Sequence, residues 1–291
     1  MKPAAFEYRA PTSLDEALAL IEANPEAKLL AGGQSLVPVL NFRLAAPPLL
    51  IDLNRIPEIA RLAFEPDGAL TVGAMTRHRA FETDPRVRRA QPLAAAAVAD
   101  IAHVPIRNRG TLGGSLCHAD PAAEWSAVAL ACGAELTIAR RGATRTVAAG
   151  DFFTGLFSTV VGQGELLTAV RFPAWPERRR HGFVEIARRQ GDFAIVGVAA
   201  AVDLDAQGDV GAARIAVFGA ADMAVLAVEA AQSLVGRRGT DAAREAGRIA
   251  RARIPTRSDH HASAEYRSEL IEVLVRRALE QALGLAAAQA A

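Results

Sequence analysis

Two short segments each place a pair of glycines beside hydroxyl side chains. The first is AGGQSL, residues 31–36, and the second is TLGGSL, residues 111–116. Because glycine has no Cβ, such pairs can adopt positive φ and turn successive amide groups towards one point. Amides arranged in this way bind anions, and Ser35, Thr111 and Ser115 could add hydroxyl donors. Together the two segments predict a two-sided site for a pyrophosphate.

A tight turn is the alternative interpretation of each glycine pair, since glycines are common in turns. Each pair follows an apolar segment and is accompanied by hydroxyls, which favours the anion site. Neither segment contains GxGxxG or GxxxxGK[ST]. The sequence therefore does not support a Rossmann dinucleotide site or a P-loop nucleotide site.

The other reactive side chains favour structural interpretations. Cys117 and Cys132 have no CxxC partner, which argues against zinc or iron-sulfur ligation by this chain. Cys117 is expected to be a small buried side chain, and His118 a loop or packing histidine because no dyad partner is visible. His260 and His261 lack further ligands at useful spacing, so a solvated helix start is expected there instead of a metal site.

The composition excludes several classes of protein. The chain has 291 residues, 51% of them apolar, and a formal net charge of +1. This charge gives no indication of binding to nucleic acid or an anionic membrane. No apolar stretch is long enough to span a membrane, and the N-terminus lacks the apolar core of a signal peptide. We expect a soluble cytoplasmic protein with reduced thiols.

The elements around the first glycine pair form a compact βαβ-like unit over the first 55 residues. Ser13 and Glu16 form a capping box at the start of a helix. A short buried strand is predicted at 28–31, a short helix at 36–44 and another strand at 49–53.

The second glycine pair lies in a mixed segment. A strand is predicted at 69–75, and Asp120 is predicted to cap a helix that has Pro121 at its first position and ends at Gly133. A hairpin turning at Arg141 and Gly142 should follow, and then a strand at 165–173.

The remainder of the chain begins with a polar, proline-containing segment at 175–182, which is typical of a domain boundary. Strands are predicted within 185–204 and 213–221, and helices at 241–253 and 263–284.

Six segments, in this order, resemble the FAD-binding medium subunit of the molybdenum hydroxylases, the family of xanthine dehydrogenase and carbon monoxide dehydrogenase. They are FEYRAPTSLDEAL, KLLAGGQSLVPVLNFRLAAPPLLIDL, IRNRGTLGGSLCHADPAAE, GELLTAVRFP, RRQGDFAIVGVAA and AEYRSELIEVLVRRALE. The resemblance implies an α+β fold with two FAD-binding subdomains of the vanillyl-alcohol-oxidase/PCMH type, 1–55 and 56–175. A C-terminal α+β domain with a small antiparallel sheet, 176–291, would follow.

The resemblance also implies a set of cofactor-binding residues and assigns no catalytic residue or metal ligand. The set is Lys28, Leu29, Leu30, Ala31, Gly32, Gly33, Gln34, Ser35, Leu36, Ile101, Thr111, Gly113, Gly114, Ser115, Asp120, Glu124, Leu167 and Phe193. Residues 32–35 would contact the pyrophosphate, and Phe193 matches a position where an aromatic side chain covers the flavin. Glu185 stands where the family often has Lys, and Arg188 or Arg189 could replace that cation.

The activity implied by the resemblance is electron transfer within a complex. FAD on this chain would accept electrons from 2Fe–2S clusters on a small subunit and pass them to an external acceptor. A large subunit with the molybdopterin cofactor would oxidise the substrate, and an (αβγ)2 assembly is expected. The alternatives are a self-sufficient flavin-dependent oxidase of the same fold and a non-redox assembly scaffold. Substrate and acceptor stay open.

Overall fold

A computed structural model describes residues 1–285 of the chain. The strands are β1 Glu7–Arg9, β2 Lys28–Leu30, β3 Leu49–Asp52, β4 Leu62–Phe64, β5 Leu70–Gly73, β6 Glu135–Arg140, β7 Ala143–Ala148, β8 Phe153–Gly155, β9 Ser158–Thr159, β10 Leu166–Phe172, β11 Arg179–Ala187, β12 Ala194–Leu204, β13 Val210–Phe218 and β14 Val225–Leu226. The α-helices are α1 Leu14–Ala23, α2 Leu36–Asn41, α3 His78–Thr83, α4 Pro85–Ala90, α5 Pro92–Ala97, α6 Val104–Arg107, α7 Leu112–His118, α8 Glu124–Cys132, α9 Ala149–Phe152, α10 Val228–Gln232, α11 Thr240–Arg253 and α12 Ala264–Ala282.

The N-terminal sheet has the order β1-β3-β2, and both pairings are parallel. The predicted capping box starts α1: the Glu16 amide donates to the Ser13 hydroxyl at 3.2 Å, and the Thr12 amide donates to the Glu16 carboxylate at 2.8 Å. The βαβ-like unit is therefore confirmed. The prediction that β2 is buried was wrong, since Lys28 is exposed and Leu29 and Leu30 are half-buried.

The second sheet is antiparallel, with the order β4-β5-β10-β6-β7. The predicted hairpin between β6 and β7 is confirmed, and Gly142 in its turn has a φ of 75°. Helices α3 to α9 belong to the same part of the chain, and Trp125, Phe152 and Phe172 are fully buried in its core.

The third sheet, β11-β12-β13-β14, is also antiparallel. Alternate residues of β12 point to opposite faces: Ala199 and Ala201 join the core around Trp125, while Val198 and Val202 pack with helix α12. Strand β12 is buried because both of its faces are covered. Strand β11 begins at Arg179, inside the segment 175–182, and the domain boundary in that segment stays a prediction.

These three sheets confirm the α+β class. The division into 1–55, 56–175 and 176–291 stays a prediction, and one core cluster contains residues from both of the latter two ranges. Within 1–285, no helix is both long and apolar enough to cross a membrane.

Helix α8 begins later than its sequence predicts. Its N-cap is Ala123, so Asp120 is not the cap and Pro121 is not in the helix. The Asp120 carboxylate instead accepts the Ala122 amide at 2.9 Å, and the Pro121 carbonyl accepts the Gly219 amide at 2.7 Å. The Pro121 carbonyl would accept an amide in the first turn of a helix that started there, but here it accepts the amide of Gly219, the residue after β13.

Candidate functional site

The two glycine segments lie in contact with each other. A Cβ on Gly32 would stand 2.4 Å from the carbonyl oxygen of Arg109 and 2.7 Å from the Cα of Gly110. A Cβ on Gly114 would stand 3.2 Å from the Ala31 Cβ. The two segments are therefore packed together, and a glycine is needed at position 32 because no side chain fits between the two backbones.

The first segment contains a run of amides that have no protein acceptor within residues 1–285. Gly33 has a φ of 74°, which places the turn in the left-handed region. The amide of Val37 donates to the Gly33 carbonyl at 3.1 Å, but the amides of residues 32–36 have no acceptor among the described residues. The Gln34 side chain folds back and donates to the Gly32 carbonyl at 3.1 Å. No acceptor among the described residues therefore competes with an anion for these five consecutive amides.

The second segment has a different conformation from the first, and its contact with a pyrophosphate stays a prediction. Thr111 caps helix α7, and its hydroxyl accepts the Gly114 amide at 3.1 Å. The Gly113 amide donates to the Ala74 carbonyl at 2.8 Å, and the Ser115 amide donates to Thr111 at 3.0 Å. These amides already have acceptors and are not free for a ligand.

Close packing explains the glycines of the second segment. Neither Gly113 nor Gly114 has positive φ. A Cβ on Gly113 would stand 2.5 Å from the Cβ of Ala74, and a Cβ on Gly110 would stand 2.6 Å from the ring of His78. The glycines therefore let the second segment lie close to Ala74, to His78 and to the first segment.

A gap opens beside the first segment, on the side of helix α2. Its lining includes Gly32, Gly33, Gln34, Asn41 and Arg109, and Arg109 is the one charged residue among those that line it. The Arg109 side chain is exposed and forms no hydrogen bond or ion pair within the described part of the chain. The sequence analysis did not select Arg109, although IRNRG directly precedes the second glycine segment.

A buried histidine anchors the second segment to the core. The His78 amide donates to the Gly110 carbonyl at 3.0 Å, and the His78 Nδ1 accepts the Trp125 indole N–H at 3.0 Å. Burial, together with the charges of Arg77 and Arg107, lowers the pKa of His78 to about 3. The imidazole is therefore neutral and carries its proton on Nε2.

Three acidic groups share an enclosed region near the end of helix α5. Burial, followed by the neighbouring carboxyl charges, raises the pKa of Glu124 to about 7 and that of Glu185 to about 8. Burial also raises the pKa of Asp100. The Glu185 Oε2 is buried without a hydrogen-bond partner among the described residues. Arg188 and Arg189 form no ion pair with Glu185 there.

The other predicted residues fall into two groups. Ile101 and Leu167 are buried in the main core, with Leu167 only 2% exposed. Phe193 is 66% exposed in the loop between β11 and β12. The same loop reaches the segment after Ile101, because a Cβ on Gly191 would stand 2.5 Å from the ring of His103. The assignment of each of these side chains to the cofactor stays a prediction.

The remaining reactive residues were partly misjudged. Cys117 is exposed, so the expectation of burial was wrong. The His118 ring packs against Phe157, with 5.1 Å between the ring centroids, which confirms a packing histidine. His260 and His261 are exposed neighbours. Residues 1–285 contain no cluster of three or more side chains that could hold a metal ion.

Two family models together match most of the chain. The model described as the FAD binding domain in molybdopterin dehydrogenase matches residues 4–175. The model described as the CO dehydrogenase flavoprotein C-terminal domain matches residues 181–282.

Individual relatives extend over the same length. The 6-hydroxypseudooxynicotine dehydrogenase complex subunit alpha of Paenarthrobacter nicotinovorans is 39% identical over 97% of this chain and 96% of its own. A chain of quinoline 2-oxidoreductase from Pseudomonas putida 86 is 39% identical with a TM-score of 0.93, and the match covers 98% and 99% of the two chains. A chain of carbon monoxide dehydrogenase from Hydrogenophaga pseudoflava is 35% identical with a TM-score of 0.95, again over 98% and 99%.

Proposed function

The chain belongs to the family of FAD-binding subunits of the molybdopterin dehydrogenases, and on that premise we propose that it transfers electrons through a bound FAD. The electrons come from 2Fe–2S clusters on a small subunit and leave to an external acceptor. FAD supplies the redox chemistry, since flavins accept and release electrons. The residues of this chain bind and orient the cofactor.

The five free amides of residues 32–36 carry this proposal. A pyrophosphate needs several donors directed to one place, and unbonded amides beside a left-handed glycine provide them. Arg109 adds a positive charge at the lining of the same gap, where no acidic residue stands. The residues present therefore fit the diphosphate group of FAD. Gln34 and Asn41 add amide side chains to the lining.

The rest of the predicted set surrounds the flavin ring in this proposal. Ile101 and Leu167 supply apolar surface, Asp120 and Glu124 supply polar groups, and Phe193 covers the ring from the exposed loop. The exposed Phe193 ring is accessible for this contact, since 66% of the residue is open to solvent.

The substrate is oxidised on another chain in this proposal. The relatives are named for substrates as different as 6-hydroxypseudooxynicotine, quinoline and carbon monoxide, yet each matches this chain over nearly its whole length. Chains that serve such different substrates share a fold, so their common task is better explained by electron transfer than by recognition of one substrate. We propose a large molybdopterin subunit and a small iron-sulfur subunit as partners, in an (αβγ)2 assembly. The cytoplasmic location stays a prediction.

The flavin content of the purified chain tests the proposal. The chain should carry FAD and release it on acid precipitation, because the proposed contacts are all non-covalent. Under anaerobic conditions a strong chemical reductant should bleach the flavin band, whereas quinoline, purines and carbon monoxide should not. Bleaching by one of these substrates without molybdenum present would favour a self-sufficient oxidase. A colourless chain that binds no added FAD would leave only a scaffold role.

A further inference from the structure

A chain of side-chain hydrogen bonds joins the two glycine segments. The Asn54 Nδ2 donates to the Ala31 carbonyl at 2.9 Å, and the Asn54 Oδ1 accepts the Arg77 Nη2 at 2.6 Å. The Arg77 Nη1 donates to the Arg109 carbonyl. Ala31 directly precedes Gly32, and the Arg109 carbonyl is the atom that Gly32 packs against at its closest approach. The bridge therefore ends at the contact between the two segments.

From this geometry we propose that Asn54 and Arg77 are positioning residues, which hold the two glycine segments at the spacing that the diphosphate requires. The inference rests on the proposed binding of FAD at residues 32–36. Neither residue belongs to a glycine segment, and neither lines the gap beside it. Their effect on the cofactor is transmitted through the backbone carbonyls of Ala31 and Arg109.

Further hydrogen bonds fix the orientation of Asn54. The Asp52 carboxylate accepts the Asn54 backbone amide at 2.9 Å and also contacts its side-chain nitrogen. The Tyr8 hydroxyl donates to the other Asp52 oxygen at 2.5 Å. Burial opposes ionisation of Asp52, but the hydrogen bonds from Tyr8 and Asn54 outweigh it and lower the Asp52 pKa. The ionised Asp52 carboxylate can only accept hydrogen bonds, so it orients the Asn54 side-chain nitrogen towards itself. The Asn54 side-chain oxygen then faces Arg77.

Arg77 and Arg109 have separate roles in this arrangement. Both terminal nitrogens of Arg77 are bonded to protein oxygens, and its backbone forms an isolated antiparallel bridge with Thr111. Burial and then the charge of Arg109 lower the pKa of Arg77. Because that charge repels Arg77, its bonds to Asn54 and to the Arg109 carbonyl are needed to keep the two side chains close together. Arg77 thus holds the segments, while Arg109 stays free for the ligand.

Loss of the bridge should allow the segments to separate. The two segments otherwise meet through close packing at Gly32 and Gly114, and the amides of residues 32–36 have no acceptors among the described residues to fix them. Binding would then have to order the amides, which reduces affinity. A bond from a charged donor contributes more than a neutral one, so we expect at least a tenfold weaker affinity for any ligand held through its diphosphate.

The test measures the affinity of the FAD-free full-length chain for FAD and for ADP, together with its urea unfolding midpoint. Arg77→Met and Asn54→Ala should each weaken both ligands about tenfold or more. The double variant should be no weaker than the weaker single variant, because both changes break one bridge. Arg79→Met is the matched control, since Arg79 pairs with Glu82 on the same helix and does not touch either segment.

Several outcomes would overturn the inference. These are affinities within twofold of the wild type, an equal loss in Arg79→Met, or additive losses that follow the shift in the urea midpoint. If Arg77→Met does not fold, Arg77→Lys replaces it, because a lysine can keep only one of the two bonds. An affinity between those of the wild type and Asn54→Ala then supports the bridge. An unchanged affinity overturns it. A wild-type chain that binds neither FAD nor ADP would overturn the proposed function itself.

Discussion

Replacing Glu185 by Gln should make the protein more stable, and more so as the pH rises. Burial raises the pKa of Glu185 to about 8 from an ordinary value of 4.5, and the charges of Glu124 and Asp100 add to this effect. The unfolded carboxyl loses its proton above pH 4.5, while the folded one keeps it to about pH 8. The unfolded state is therefore favoured as the pH rises through this window, and the stability present at low pH is lost.

The size of the effect follows from the width of that window. Each pH unit in which only the folded carboxyl is protonated costs up to about 1.4 kcal/mol. From pH 6.5 to pH 8 the loss from Glu185 is at most about 1.6 kcal/mol, and solvent contact of this half-buried side chain reduces it to about 1 kcal/mol. The amide of Gln stays neutral, so it resembles the protonated acid at every pH.

Urea unfolding of the FAD-free chain at pH 6.5, 7.2 and 8 measures this difference. We compare the free energy of unfolding of Glu185→Gln with that of the wild type at each pH. The excess of the variant over the wild type should be about 1 kcal/mol larger at pH 8 than at pH 6.5. Glu269→Gln is the matched control, because Glu269 lies exposed on α12 and forms no ion pair within the described residues. Parallel pH profiles for the wild type and Glu185→Gln would refute the argument from burial.

Two further predictions concern the glycine segments and their anchor. Gly33→Val should strain a backbone with φ of 74°, and Gly114→Val should place a Cβ 2.7 Å from the Thr111 hydroxyl. Both variants should lose FAD while their circular dichroism is unchanged. Gly236→Val is the control and should keep FAD, because Gly236 has φ of 72° but lies in open space. If all three variants retained FAD, the assignment of the site would be wrong. Because burial lowers the pKa of His78 to about 3, its stabilising effect is present above pH 6.5 and lost as the pH falls, by up to about 1.4 kcal/mol per unit. His78→Asn should reduce this acid slope in urea unfolding, and an unchanged slope would show that His78 is not its source.

Local signals were sufficient to predict much of the fold. The capping box at Ser13 and the turn at Gly142 each depend on residues a few positions apart, and both were predicted correctly. The start of helix α8 was not, because the Pro121 carbonyl is bonded to Gly219, almost a hundred residues further along the chain. A strong local signal at Asp120 was overruled by a contact that the linear sequence does not reveal.

The candidate site shows the same limit in another form. Identical glycine pairs perform different tasks: Gly33 turns a run of free amides, while Gly113 only allows a close approach to Ala74. The task of each glycine is determined by the backbone that faces it, which comes from a distant part of the sequence. Motifs therefore reveal the groups that can touch a ligand more readily than the groups that hold them. Asn54 and Arg77 have no motif of their own, and their place in the site follows only from the carbonyls they reach.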